Sequence, residues 1–243
     1  MRRFGNQNLQ LFIFGVTRMK VFDLESNSLR ELNATLHEQK SDINKVNWEV
    51  QNPRGKHAIA VGLDTPMEVR VIGSTGYYLG GMNQKAHITV DGSVGPGVAE
   101  NMMSGTVTVE GDASQYAGAT GHGGLLVIKG NASSRCGISM KGIDIVVFGD
   151  VGHMSAFMAQ SGNLVICGDA GDALGDSLYE ARLFVRGSVK SLGADCIEKE
   201  MRKEHLDILS NLLATSGSKV KAEEFRRYGS ARKLYNFNID NAY

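Results

Sequence analysis

The sequence predicts an all-β fold: a right-handed parallel β-helix, a single-stranded solenoid of seven coils of 19 residues, with N- and C-terminal helical arms. Three observations predict it. Gly73, Gly92, Gly111, Gly130, Gly149, Gly168 and Gly187 stand 19 residues apart without an insertion. Two columns beside these glycines are wholly aliphatic. Of the 30 glycines, 24 lie between Gly73 and Gly193, although the chain has only 3 prolines. A fixed period near 20 residues marks a solenoid, because one short unit cannot bury its apolar face alone and stacked units can.

Taken in chain order, residues 1–18 read as an N-terminal extension, with Met19 as the natural start. Residues 19–60 read as a helix and a connector. Ser28 and Glu31 have capping-box spacing, and Leu29, Leu32 and Leu36 share a helical face. Trp48 to Arg54 reads as the connector. His57 to Gly62 alternates apolar residues and reads as a strand that caps the first coil, whose edge would otherwise be unpaired.

Residues 61–196 form the β-helix. Four residues before each marker glycine stand Val69, Ile88, Val107, Leu126, Ile145, Leu164 and Leu183. Two before it stand Val71, Val90, Val109, Ile128, Val147, Ile166 and Val185. This spacing of two, in mostly β-branched residues, is a strand with one buried face. The residue after each marker is Ser74, Ser93, Asp112, Asn131, Asp150, Asp169 or Ser188, which reads as a turn with glycine at positive φ. Seven after the marker stand only Gly or Ala, which predicts a second corner or a close backbone approach. Coils stack ~4.8 Å apart, so seven make a column about 34 Å long. The right hand follows from the strong bias of parallel crossovers.

Residues 197–243 form a C-terminal helix and a docking tail. Asp195 and Glu198 are the candidate caps, Ile197, Met201, Ile208 and Leu212 follow at helical spacing, and Ser216-Gly217-Ser218 breaks the helix. The tail interleaves basic and aromatic residues. Three before each marker the column runs Arg70, Thr89, Thr108, Val127, Val146, Val165 and Phe184, turning apolar in the last four coils. Either the C-terminal helix or another subunit must cover that strip. Phe225, Arg226, Arg227 and Tyr228 are the candidate partner-docking residues.

Composition excludes several classes. The chain has 243 residues, with 26 Lys+Arg against 26 Asp+Glu. Neutrality gives no general attraction for nucleic acid or an anionic membrane, and no apolar run is long enough to span a bilayer. Cys136, Cys167 and Cys196 form no CxxC pair, and free thiols suit the cytoplasm. His87, His122 and His153 fall at different offsets in the 19-residue frame and read as surface or turn residues. The three cysteines read as small buried residues. Asp150 and Asp169 share a column and read as exposed turn residues, although a cation between them fits the spacing. The glycine-rich run GATGHGG lacks a following Gly-Lys-Ser/Thr and opens no βαβ helix, so it does not indicate nucleotide binding. No catalytic, cofactor-binding or metal residue emerges, which favours a scaffold over an enzyme.

The glycine repeat, together with stretches such as SSRCGISMKGIDIVV, resembles the GXGXG β-helix domain of the glutamate synthase large subunit. The match runs from about Val61 to Ile197. It is closer still to the free-standing β-helix subunit of N-methylglutamate synthase (methylamine–glutamate N-methyltransferase), which the tail EFRRYGSARKLYNFNIDNA also resembles. The resemblance implies a structural subunit in the methylamine utilization system, bridging a class II glutaminase-like amidotransferase subunit and an FMN-binding glutamate-synthase-like subunit. FMN and an iron–sulfur cluster would reside in that partner, with no cofactor in this chain, and the β-helix would help enclose an ammonia or methylamine tunnel. The second glycine of the family pattern stands at Gly76, Gly95, Gly152 and Gly171 but is replaced by Ser114, Ser133 and Lys190. Two alternatives stay open: the β-helical C subunit of a formylmethanofuran dehydrogenase or formyltransferase/hydrolase complex, and a stand-alone β-helix enzyme acting on carbohydrate.

Overall fold

A computed structural model of the chain describes residues 18–39 and 46–232. The extension expected over residues 1–18 therefore lies outside the described residues up to residue 17, as does the tail from residue 233. The described chain forms one 11-stranded sheet in the order β1-β2-β3-β4-β5-β6-β7-β8-β9-β11-β10. The rungs of the solenoid are β3 (Glu68–Ile72), β4 (His87–Val90), β5 (Thr106–Val109), β6 (Leu125–Ile128), β7 (Lys141–Val147), β8 (Ser161–Ile166) and β9 (Arg182–Val185). All pair in parallel, and Val69, Ile88, Val107, Leu126, Ile145, Leu164 and Leu183 lie side by side across the sheet. Every residue of both aliphatic columns is at most 1% exposed. The parallel β-helix expected from the repeat is borne out. A second, one-residue ladder links Thr75, Val94, Ala113, Ala132, Val151, Ala170 and Val189 on the far side of the corner.

The small column marks that second corner. Gly80, Ala99, Gly118, Gly137, Ala156 and Gly175 all have positive φ, and so do the residues two before and two after each, such as Tyr116 and Thr120 around Gly118. A Cβ on Gly118 would come within 2.5 Å of Ile145 Cδ1. The column is therefore small because it is left-handed and also points into the core.

The column begins earlier than the 19-residue ruler shows. Trp48 to Arg54, read as a connector, overlaps strand β2 (Val46–Gln51), which pairs in parallel with β3. β1 (Arg18–Asp23) adds a further parallel rung beyond it. Val50 pairs with Val71, a step of 21 rather than 19, which hides this coil from the ruler. His57 to Gly62 is not a strand. Ala58, Ala60 and Gly62 have positive φ, so this segment is the same left-handed corner seen in later coils.

Helix α1 (Leu29–Glu38) closes the N-terminal end. Its capping box forms as expected: Glu31 N–H donates to Ser28 Oγ at 3.2 Å, and Ser28 N–H donates to Glu31 Oε2 at 2.8 Å. Leu32 and Leu36 are fully buried. Asn33 ties the helix to the corner below, donating to Ala58 O and accepting from Ala60 N–H at 2.9 and 3.0 Å.

The C-terminal arm differs from expectation at its start. Cys196–Lys199 is a strand, β10, and α2 spans Lys203–Thr215 with Arg202 at the N-cap, so Asp195 and Glu198 cap no helix. Asp195 instead holds the Arg232 guanidinium. The break at Ser216 and Gly217 stands, with Ser216 as C-cap and Gly217 at φ 78. The tail then turns through Ala222–Glu224 into β11 (Arg226–Ser230), which inserts antiparallel between β9 and β10.

Candidate functional site

The marker glycines and the polar residues after them form one device. Asp112 Oδ1 accepts from Asn131 N–H at 2.7 Å, Asn131 Oδ1 from Asp150 N–H at 2.8 Å, and Asp150 Oδ1 from Asp169 N–H at 2.7 Å. Asp169 Oδ1 continues to Ser188 N–H at 2.7 Å. Each side chain crosses the glycine of the next coil to reach that bond. A Cβ on Gly130 would lie 2.3 Å from Asp112 Oδ1, and one on Gly168 2.2 Å from Asp150 Oδ1. Of the seven markers only Gly73 has positive φ. The expected reason for these glycines is thus corrected: close approach between coils, not a left-handed turn, requires Gly92, Gly111, Gly130, Gly149, Gly168 and Gly187. One side-chain oxygen of each residue in this column is thus engaged by the backbone of the next coil.

The cysteines are all buried. Burial pushes the Cys136 thiol up to about 12 and the Cys196 thiol up to about 11, and it raises Cys167 as well. A thiol held protonated is a poor nucleophile and metal ligand. His87, His122 and His153 are exposed. His57 stacks on Tyr77 with ring centroids 3.9 Å apart, and His37 Nε2 bonds Val61 O at 2.9 Å. Among the described residues no group of three or more His, Cys, Asp or Glu could hold a metal ion.

The apolar strip of the last coils is covered by the chain itself. α2 lays Leu209, Leu212 and Leu213 on Val146, Val165, Cys167 and Phe184, and Phe225 joins the same cluster. Lys129 fastens the far end of the helix: its Nζ donates to Ser216 O at 2.6 Å and sits 4.0 Å from the Phe148 ring centroid. A cation at a helix C-terminus neutralises its unpaired carbonyls.

The four residues expected to dock a partner are seated on this chain. Phe225 and Tyr228 are 5% and 3% exposed and belong to its two core clusters. Arg226 donates to Gly187 O at 2.9 Å, and Arg227 Nε donates to Glu200 O at 2.9 Å. Phe225 and Tyr228 are thus packed into the chain's own core rather than presented at its surface. Aromatic residues in a tail look like free anchors in a sequence, but here they close the C-terminal end of the column.

Among the described residues the outward columns of the first coils are left open, and the sequence reading drew nothing from their charged residues. Glu68, Arg70, Ile72, His87 and Glu110 are exposed, and Glu49 and Asp91 are half-buried. Arg70 contacts Asp91 at 2.6 Å. The Asp91 carboxylate, aided by Glu49 and Glu110, raises the Arg70 pKa, so three carboxylates act on one guanidinium. The signal was available in the columns one and three residues before the marker, which read Asp91 and Glu110 beside Arg70, Thr89 and Thr108.

No helix among the described residues is long and apolar enough to cross a membrane. No protein-family model matches the chain. A curated protein of Rhizobium meliloti (strain 1021), Protein GlxC, is 71% identical over 225 residues, which is 92% of this chain and 99% of that protein. By that identity and coverage the chain belongs to the GlxC family.

Proposed function

We propose that the chain is a non-catalytic β-helix subunit of a glutamate-synthase-like complex, of the N-methylglutamate synthase kind. That complex converts methylamine and glutamate to N-methylglutamate and ammonia. The chain would bridge a class II glutaminase-like subunit and a subunit carrying FMN and an iron–sulfur cluster, and would help line the tunnel between them.

The observation that carries this reading is the parallel stacking from β3 to β9, which keeps both aliphatic columns in register and shifts only at the start of β7, between Lys141 and Asp144. Seven rungs stack in parallel, and side-chain bonds between consecutive coils run down one corner from Ser74 to Ser188. Such a column is a stiff strut that holds partners at a fixed separation. Protonated, buried thiols and a resemblance confined to the β-helix and tail support a structural role. The test is purification of the native complex through a tag on this chain. FMN released on denaturation, iron and sulfide in a co-purified subunit, and methylamine-dependent turnover by the assembly are expected. Turnover by the isolated chain, or a molybdenum-, tungsten- or amidohydrolase-type partner, overturns the reading.

A further inference from the structure

Among the described residues the outer face of the sheet is covered at one end and open at the other. From Val127 onward it lies beneath α2 and the tail. Over β2 to β5 it presents Asn47, Glu68, His87 and Thr106 in one row and Glu49, Arg70, Thr89 and Thr108 in the next. Asp91 and Glu110 flank them. Arg70 is matched by Asp91, which leaves Glu49, Glu68 and Glu110 without a salt bridge among the described residues. Met19, Val21 and Ile72 stand at the edge of this face, 56%, 57% and 37% exposed.

The charge is not local accident. Residues 61–196 hold 13 acidic and 8 basic side chains, whereas residues 197–243 hold 7 acidic and 9 basic ones. The neutral total therefore hides an acidic column and a basic C-terminal arm. An acidic face repels phosphate backbones and anionic lipid alike. Four carboxylates in neighbouring columns around a single arginine, with apolar residues at the margin, complement a cationic protein surface: the apolar contacts supply burial, and the charges set orientation and encounter rate.

We propose that this open face, built from Glu49, Glu68, Asp91 and Glu110 with Met19, Val21 and Ile72 at its edge, docks a protein partner through that partner's lysines and arginines. The proposal rests on the subunit reading above and names the surface that reading lacks. Because the carboxylates are exposed, the association is sensitive to salt.

The experiment uses the complex purified from the native host through a tag on this chain. Carbodiimide coupling joins carboxylates directly to amines in salt-bridge contact. Linked peptides from Glu49, Glu68 or Glu110 to lysines of a co-purified subunit are expected. The combined Glu49→Lys, Glu68→Lys, Glu110→Lys variant is expected to recover about 10-fold less of that subunit at low salt, a change of about 1.4 kcal/mol. Its thermal midpoint is expected to stay within a few degrees of the parent. Links to the Met1 amine or Lys233 of the same chain would overturn the proposal in favour of the chain's own termini. Links between two copies would assign the face to self-association. A folded variant that recovers its partner unchanged overturns the surface while leaving the subunit reading intact. A chain that purifies alone overturns that reading and the surface with it.

Discussion

The two halves of the outer sheet face share one backbone and differ in almost everything above it. Arg70, Thr89 and Thr108 occupy the same column as Val146, Val165 and Phe184, one rung after another in register. The first three are exposed or half-buried, and the last three are 0% exposed beneath α2. The inner face shows no such change, since both aliphatic columns are buried from the first coil to the last. In a solenoid the inward columns encode the repeat, and the outward columns encode what rests on it. The switch from threonine to valine between Thr108 and Val127 marks where the chain begins to cover itself.

The largest effect should come from breaking the covered half. Phe184→Ala removes a fully buried ring between β9 and α2. It should cost about 3–5 kcal/mol, as large-to-small core substitutions do. Thr89→Ala, in the same column of the open half, should fall within about 0.5 kcal/mol of the parent. Urea unfolding of both variants checks the pair. Equal losses would mean that the roof contributes no more than the open face.

A second substitution probes what the two halves have in common. Gly130→Ala would press a methyl group against Asp112 Oδ1 and, 2.8 Å away, Gly111 O. Overpacking of this kind costs about 1–3 kcal/mol. Gly111→Ala should cost a similar amount, since a Cβ there meets Ser93 Oγ at 2.6 Å and Gly92 carbon and oxygen at 2.9 Å. Thermal midpoints of the two variants measure this. A large difference between them would show that the coil corner is not uniform along the column.

A third substitution isolates the fastening of the roof. Lys129→Met keeps the stem but loses the charge that meets Ser216 O and the Phe148 ring. A loss of about 1 kcal/mol is expected from the hydrogen bond, the helix-end charge and the cation–π contact taken together. Hydrogen exchange should rise first in the last turn of α2 and leave β3 to β5 unchanged.

How much of this was legible depends on whether a feature repeats. The two aliphatic columns, the seven coils and the Ser28–Glu31 cap can be read because each is a local pattern with a fixed spacing. β2 escaped because its register step of 21 breaks the ruler, although Trp48 and Val50 alternate as a strand should. The second corner was legible in its Gly/Ala column, but its left-handed path was not, because Tyr78, Tyr116 and Arg135 adopt positive φ without being glycine. Neighbouring coils impose that geometry: Tyr116 N–H donates to Ser134 O at 3.1 Å, and Arg135 N–H to His153 O at 2.9 Å. The burial of Phe225 and Tyr228 escaped because β11 pairs with β9, some 40 residues earlier, and no spacing rule reports a return of that length.

The smallest expected effect tests the roof at its other end. His205 is 6% exposed, and its Nδ1 accepts the Arg202 N–H at 3.2 Å, closing the first turn of α2. Burial lowers its pKa from 6.5, and Arg227 on β11, Arg182 on β9 and Arg202 at the cap lower it further against the opposing pull of Glu204. The folded protein therefore disfavours imidazolium relative to the unfolded chain. As pH falls through 6.5 the unfolded state binds the proton first, so this contribution to stability is complete above about pH 6.5 and declines below it until the folded group also protonates. His205→Gln should remove that part of the pH dependence, flattening stability between pH 7 and 5 relative to the parent. The open half carries no such group beneath a helix, so hydrogen exchange on acidification should quicken at α2 before it quickens at β3 to β5. Quickening in the reverse order would show that His205 does not hold the roof in place.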